Sequence, residues 1–257
     1  MPRVFTRYVA IGDSSTEGLD DPDGHGGYRG WANRLAALIA VAQSSPLLYA
    51  NLAVRGRSTR RILEEQLEPA LTLQPDLVTL FSGTNDVVAF RFDAETVGRD
   101  VQQMQRRLIA GGATVVGFTL PDLSTVLPLA RPLAARVRAL NEALRRAAAT
   151  TGALLVDFAK HPVGSDPRLW SPDRIHANSA GHARIAAALA WSIGLPGTDE
   201  SWAAPLPPAL PQPWATKLAA ELQWQAVYFL PWFARQLLGR SSGDHRGAKR
   251  PDLAPVS

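Results

Sequence analysis

The stretch VFTRYVAIGDSSTEG, residues 4–18, decides how the chain reads. Val4 to Ile11 is a short apolar run with β-branched content, Gly12 stops it, and a polar cluster follows at once. Trp31 to Ala42 then repeats apolar residues at helical spacing, completing one strand–helix step. The step recurs: Leu47 to Leu52 then Thr59 to Leu67, Asp76 to Phe81 then Ala94 to Ile109, Ala113 to Leu120 then Leu133 to Ala149, Ala153 to Phe158 then Ser179 to Ile193. Gly111-Gly112 and Gly152 stand where helix C-termini are expected, and Ser58, Asp93 and Asn178 precede helices as N-caps. The strands are apolar runs rather than clean alternations, which is the pattern of strands buried on both faces. The reading is an α/β protein: a three-layer α/β/α sandwich with a five-stranded parallel sheet and right-handed crossovers.

For five such strands the natural order is the flavodoxin-like 2-1-3-4-5. The composition supports one large domain, since 257 residues of which 46% are hydrophobic suffice for a sizeable core. From Pro196 it changes. Pro196, Pro205, Pro207, Pro208, Pro211 and Pro213 make a stiff, extended connector over 196–213. Residues 214–238 form an aromatic-rich extension with Trp214, Leu218 and Leu222 on one helical face, and 239–257 read as a disordered tail. The compact domain is therefore expected to be 1–195.

Several function classes fall away on composition. A net charge of +4 is too small for a dedicated nucleic-acid face. With no cysteine there is no disulfide, thiolate metal site or cysteine nucleophile. Arg3 and Arg7 interrupt the N-terminal apolar run, so no signal peptide is read, and no stretch reaches the roughly 18 uncharged apolar residues of a membrane span. The expected location is cytoplasmic.

In an open parallel sheet, ligands bind beyond the carboxyl ends of the strands, so the residues just after each strand are the informative ones. They are Gly12-Asp13-Ser14-Ser15-Thr16-Glu17-Gly18, then Asn51 and Gly56, then Gly83-Thr84-Asn85-Asp86, then Asp173-Arg174-Ile175-His176. A serine hydroxyl becomes a nucleophile when an imidazole takes its proton, and the imidazole needs a partner on its other nitrogen. Ser14, His176 and Asp173 supply those parts. The backbone N–H groups of Ser14 and Gly56 and the Asn85 amide suit a developing oxyanion. In order and spacing these blocks resemble the SGNH hydrolase superfamily of GDSL-type esterases and lipases, whose pattern is G-D-S-x-T-x-G, Gly, G-x-N-D and D-x-x-H. The resemblance covers roughly residues 5–193. It implies a carboxylic ester hydrolase working through an acyl-enzyme, with Ser14 as nucleophile, Asp173 and His176 completing the triad, and Ser14, Gly56 and Asn85 as oxyanion donors. Ser15 stands where the GDSL name has Leu, and the family pattern gives 196 onward no role.

Other readings of the same residues are weaker. Asp173, His176 and His182 match no zinc spacing, so no metal is expected. No P-loop, G-x-G-x-x-G or G-x-S-x-G occurs, and no cofactor is expected. Asp13 reads as a turn-forming residue, and His25, His161, His182 and His245 as non-catalytic. Arg55, Arg57, Arg60 and Arg61 read as a solvated face with Arg60–Glu64 and Arg61–Glu65 pairs, an anionic substrate group being the sharper alternative. Val87 to Phe92 and Leu120 to Leu129 are candidates to line an acyl pocket. The tryptophans and basic residues of 214–250 suggest packing on the domain, with weak peripheral membrane contact as the alternative. The expected partner is a small-molecule ester. An acyltransferase or thioesterase using the same triad, and a non-catalytic binding protein on the same scaffold, remain the rival functions.

Overall fold

A computed structural model describes residues 3–122, 132–208, 213, 220–229, 231 and 243–256. Strand β1 (Arg7–Gly12) lies inside the sheet, with β2 (Leu48–Asn51) and β3 (Leu77–Phe81) parallel on either side. Strands β4 (Thr114–Phe118) and β5 (Leu154–Val156) continue the parallel set beyond β3. This is the expected 2-1-3-4-5 order, and all of β3 is buried, as an apolar run between two helical layers should be.

The helices follow from the crossovers. The step from β1 to β2 through α2 (Gly30–Ala42) runs one way across the sheet, and the step from β2 to β3 through α3 (Thr59–Thr72) runs the other way. With right-handed connections the two helices fall on opposite faces. Helices α5 (Ala94–Ala110) and α6 (Ala134–Thr151) pack in a row with α3, while α7 (Ser179–Ser192) packs on α2. Two short helices, α1 (Ser14–Glu17) and α4 (Thr84–Val88), start directly behind β1 and β3. They flank the point where the connections part in opposite directions, the crevice where such sheets bind ligands.

The chain beyond 195 differs from the sequence expectation. A sixth strand, β6 (Arg250–Pro255), pairs antiparallel with β2 at the sheet edge, where a disordered tail was expected. Pro251 and Pro255 argued against a strand, but an edge strand tolerates prolines whose missing N–H faces away from the ladder. Lys249, just before it, donates to the carbonyls of Glu17 (2.7 Å) and Arg29 (2.8 Å) and to Asn33 Oδ1 (3.1 Å), tying the tail to α1 and α2. The supposed connector also returns to the core. Glu200–Ala203 form a 3-10 turn, and Trp202 is buried against Phe158, with ring centroids 5.4 Å apart. The compact unit therefore extends past residue 195. Most of the aromatic extension, 214–219, 230 and 232–238, lies outside the described residues, as does much of the stretch considered for membrane contact.

Candidate active site

The turn after β1 is held from three sides. Gln66, buried on α3, accepts from Gly12 N (2.8 Å) and donates to Gly12 O (2.9 Å), so a side-chain amide takes the place of a neighbouring strand. No side chain fits at Gly12, because a Cβ there would lie 2.6 Å from Phe81 O. Asp13 caps α1 through Oδ1, which accepts from Ser15 N at 3.0 Å. Ser14 is thereby the first helical residue, raised beyond the end of the sheet.

His176 meets it there. Ser14 Oγ and His176 Nε2 are 2.8 Å apart, and His176 Nδ1 and Asp173 Oδ2 are 2.6 Å apart. Asp173 Oδ1 accepts from Ile175 N (2.9 Å), His176 N (3.0 Å) and Ser171 Oγ (2.7 Å). Burial alone would raise the Asp173 carboxyl, but the His176 ring and these donors outweigh it and hold its pKa at about 2. An ionised Asp173 requires the proton on Nδ1, which leaves Nε2 as the acceptor facing the Ser14 hydroxyl. Burial disfavours the imidazolium, yet the hydrogen bond and charge of Asp173, with Asp20 and Asp13 beyond, keep the His176 pKa above its usual value. The three side chains thus lie in the order and orientation that a proton transfer from Oγ to Nε2 requires, with the ring in its neutral form.

Asn85 follows Gly83 on α4. Its Nδ2 donates to Arg57 O (3.0 Å) and to Asp13 Oδ2 (3.2 Å), which draws the Gly56–Arg57 turn, α4 and the start of α1 together. Gly56 adopts φ +75°, a left-handed conformation in which a Cβ is strained. Asp86 secures the same turn by accepting from Thr59 N (2.9 Å) and Thr59 Oγ1 (2.8 Å) at the head of α3. Asp13, buried among these groups, is pushed up to about 7 by desolvation. All five residues singled out in the sequence therefore converge on one crevice. Asp13 does more than close a turn, since its two oxygens join the Ser14 helix to Asn85.

Two neighbours carried no sequence signal. Ser171 Oγ lies 2.6 Å from Asp20 Oδ2, and Asp20 Oδ2 lies 3.8 Å from His176 Nδ1, so a second carboxylate faces the ring. Asp20 and Ser171 are separated by 151 positions, and no spacing rule joins them. The ligating atoms of Asp20, Asp173 and His176 lie within 4.8 Å of one another, and the Asp173 and His176 atoms are spent on each other. His182 is structural: its Nδ1 accepts from Trp31 N (3.1 Å), its Nε2 donates to Leu19 O (2.9 Å), and burial lowers its pKa to about 4.

A cavity of about 80 Å³ opens beside Ser14 and His176. One water needs about 10–15 Å³ by this measure, so the space takes a chain of several carbon atoms. Its walls are mainly apolar, among them Phe118, Phe158, Leu169, Ile185 and Trp202. Of the two stretches expected to line it, Leu120 and Pro121 do so, while 123–129 lie outside the described residues. Val87 to Phe92 do not, and Phe90 is 96% exposed. The pocket is instead cut between α7 and the ends of β3 and β4, with Thr84 at its wall but the residues after Asn85 directed away from it. The arginines near Gly56 are each paired, though four of them share three carboxylates: Arg55 pairs with Glu17, Arg57 with Glu65 (2.7 Å), Arg60 with Asp100 (3.0 Å) and Arg61 with the same Glu65 (3.3 Å). Arg60 thus takes Asp100 rather than the expected Glu64.

The sequence matches the GDSL-like lipase/acylhydrolase family over residues 10–184. The chain belongs to that family. Its members are ester hydrolases and acylhydrolases, the class in which this chain therefore falls. No curated protein matches it. Among solved structures, it is similar to the acetylxylan esterase Axe2 of Geobacillus stearothermophilus (18% identity, TM-score 0.64, covering 76% of this chain and 97% of that one). It is also similar to a lipase/acylhydrolase of Enterococcus faecalis (21%, 0.62, 73% and 95%) and to LAE5, an alpha/beta hydrolase from the metagenome of Lake Arreo, Spain (23%, 0.61, 74% and 95%). At these identities the likeness is one of fold. The GDSL-family hydrolase described here carries Trp202, Trp224 and β6 beyond the matched residues.

Proposed function

We propose that this GDSL-family hydrolase cleaves carboxylic esters with an apolar acyl group by double displacement at Ser14. The observation that carries the reading is the unbroken row from Ser14 Oγ through His176 to Asp173, at 2.8 and 2.6 Å. Ser14 Oγ attacks the ester carbonyl while His176 Nε2 takes the hydroxyl proton, and the same proton then passes to the departing alkoxide. Water, activated in turn by His176, releases the acid and restores Ser14.

The oxyanion falls to Ser14 N–H, Gly56 N–H and Asn85 Nδ2. The longer of the two Asn85 bonds, 3.2 Å to Asp13, is the one that yields, so the amide turns toward charge that develops only during the reaction. The acyl chain enters the apolar cavity, which supports an aliphatic acyl ester over a polar sugar carrying acetate. The test is Ser14→Ala: turnover of nitrophenyl esters falls to near background while the circular dichroism spectrum and thermal midpoint hold. Retained turnover refutes the nucleophile.

A further inference from the structure

The chain beyond residue 184 carries no part of the family match, yet it reaches the catalytic crevice. Trp202 walls the cavity, and Lys249 holds the end of the helix that begins at Ser14. The most direct contact is made by Trp224, whose indole Nε1 donates to the main-chain carbonyl of Asp173 at 3.0 Å. Trp224 is buried, and the Arg174 guanidinium sits 4.9 Å from its ring centroid. The same guanidinium pairs with Glu221, one helical turn before Trp224. Both ends of this clamp therefore lie in 220–224, and both hold the 171–176 loop.

That loop needs holding. Arg174 adopts φ +61°, a left-handed conformation that is costly for a residue with a Cβ. The turn around it presents the Ile175 and His176 N–H groups to the Asp173 carboxylate. A backbone in such a conformation persists only where its surroundings over-determine it. Here the surroundings are the turn's own hydrogen bonds, Ser171 N to His176 O (2.8 Å) and Arg174 N to Ser171 O (2.9 Å), together with Trp224 and Glu221 on the outer side.

We infer that Trp224, braced by Arg174 and Glu221, is a positioning residue that fixes the Asp173–His176 loop against Ser14, making the C-terminal segment a working part of the hydrolase. The inference rests on the Ser14 reading above. Trp224→Phe addresses it, since an aromatic ring stays under Arg174 while the N–H is lost together with part of the indole. The measurement is the second-order rate of covalent labelling by a fluorophosphonate on the full chain, with kcat and KM for a nitrophenyl ester alongside. Losing one hydrogen bond predicts labelling and kcat slower by about 2- to 12-fold. KM stays unchanged, while the thermal midpoint falls only by the small amount that one hydrogen bond and part of a buried ring contribute. The acidic limb of the rate profile moves to lower pH, because a loosened Asp173 supports the imidazolium less, whereas Asp20 and Asp13 face the ring as before. An unchanged labelling rate and limb overturn the inference while leaving the Ser14 reading intact. A wild-type protein that takes no label at Ser14 overturns that reading instead. Should Trp224→Phe not fold, Glu221→Gln gives the same readout, with slower labelling in support and an unchanged rate against.

Discussion

Replacing Trp202 tests how the cavity meets its substrate. Aromatic rings form a ladder that starts beside Ser14, at Ser15. Trp31 Nε1 donates to Ser15 Oγ (3.2 Å), and Trp31, Phe118, Phe158 and Trp202 follow with successive centroid separations of 5.4 Å. Trp202 lines the cavity, its main chain fixed by Arg184 Nη1, which donates to Trp202 O (2.6 Å) and Ala204 O (2.7 Å). In the wild type each methylene buried contributes about 0.8 kcal/mol, or about fourfold in kcat/KM, until the chain meets the indole. Trp202→Phe removes part of that wall without the loss of about 3–5 kcal/mol that a change to Ala brings in a core. If two more carbons become buried, they contribute about 1.6 kcal/mol. The rate for the longer ester, divided by that for the wild-type optimum, then rises about 15-fold over the same ratio in the wild type. The assay is kcat/KM across straight-chain nitrophenyl esters, with the acetyl ester correcting for any general loss of activity. An optimum at the same chain length in both proteins, or a flat profile in the wild type, refutes the assignment of this cavity to the acyl chain.

Three further outcomes follow from the geometry of the site. Asn85→Ala removes one oxyanion donor and should lower kcat on the order of 10²- to 10³-fold with little change in KM; a loss below about fivefold means the amide serves Asp13 and Arg57 alone. Because His176 acts as a base only when neutral and its pKa is held above 6.5, kcat/KM should rise through a limb centred above pH 6.5; a limb centred below that value contradicts the Asp173 pairing. Asp20→Asn removes a negative charge facing the ring, so the imidazolium is less favoured and the limb shifts to lower pH; an unmoved limb assigns Asp20 to loop structure only.

The alternation of strands and helices was legible because doubly buried parallel strands must be largely apolar runs, and Leu77–Phe81 is one in which the single hydroxyl, Thr79, is paired with Tyr8 (2.8 Å). The site was legible for a related reason. Ser14 and Asn85 stand in short helices directly after strands, and His176 lies three residues before α7, all at the sheet edge rather than in the core. Residues 250–255 were not legible, since RPDLAP has two prolines and two charges and becomes a strand only because β2 offers an open edge. Trp202 was obscured by the prolines around it, which describe the local chain but not the hydrophobic gap at Phe158 that the indole fills. Asp20 and Ser171, and likewise Asp173 and Trp224, meet only through the fold. Their partnership leaves no periodicity, spacing or composition to read.

The account stands on a serine hydroxyl being deprotonated by an imidazole at the rim of the sheet. The most direct test is to react the full chain with a fluorophosphonate and locate the adduct by peptide mass mapping, in the wild type and in His176→Ala. A single adduct on Ser14, slowed by orders of magnitude when His176 is replaced, is the result expected. An adduct on another serine, or labelling of Ser14 at the same rate without the histidine, would contradict it.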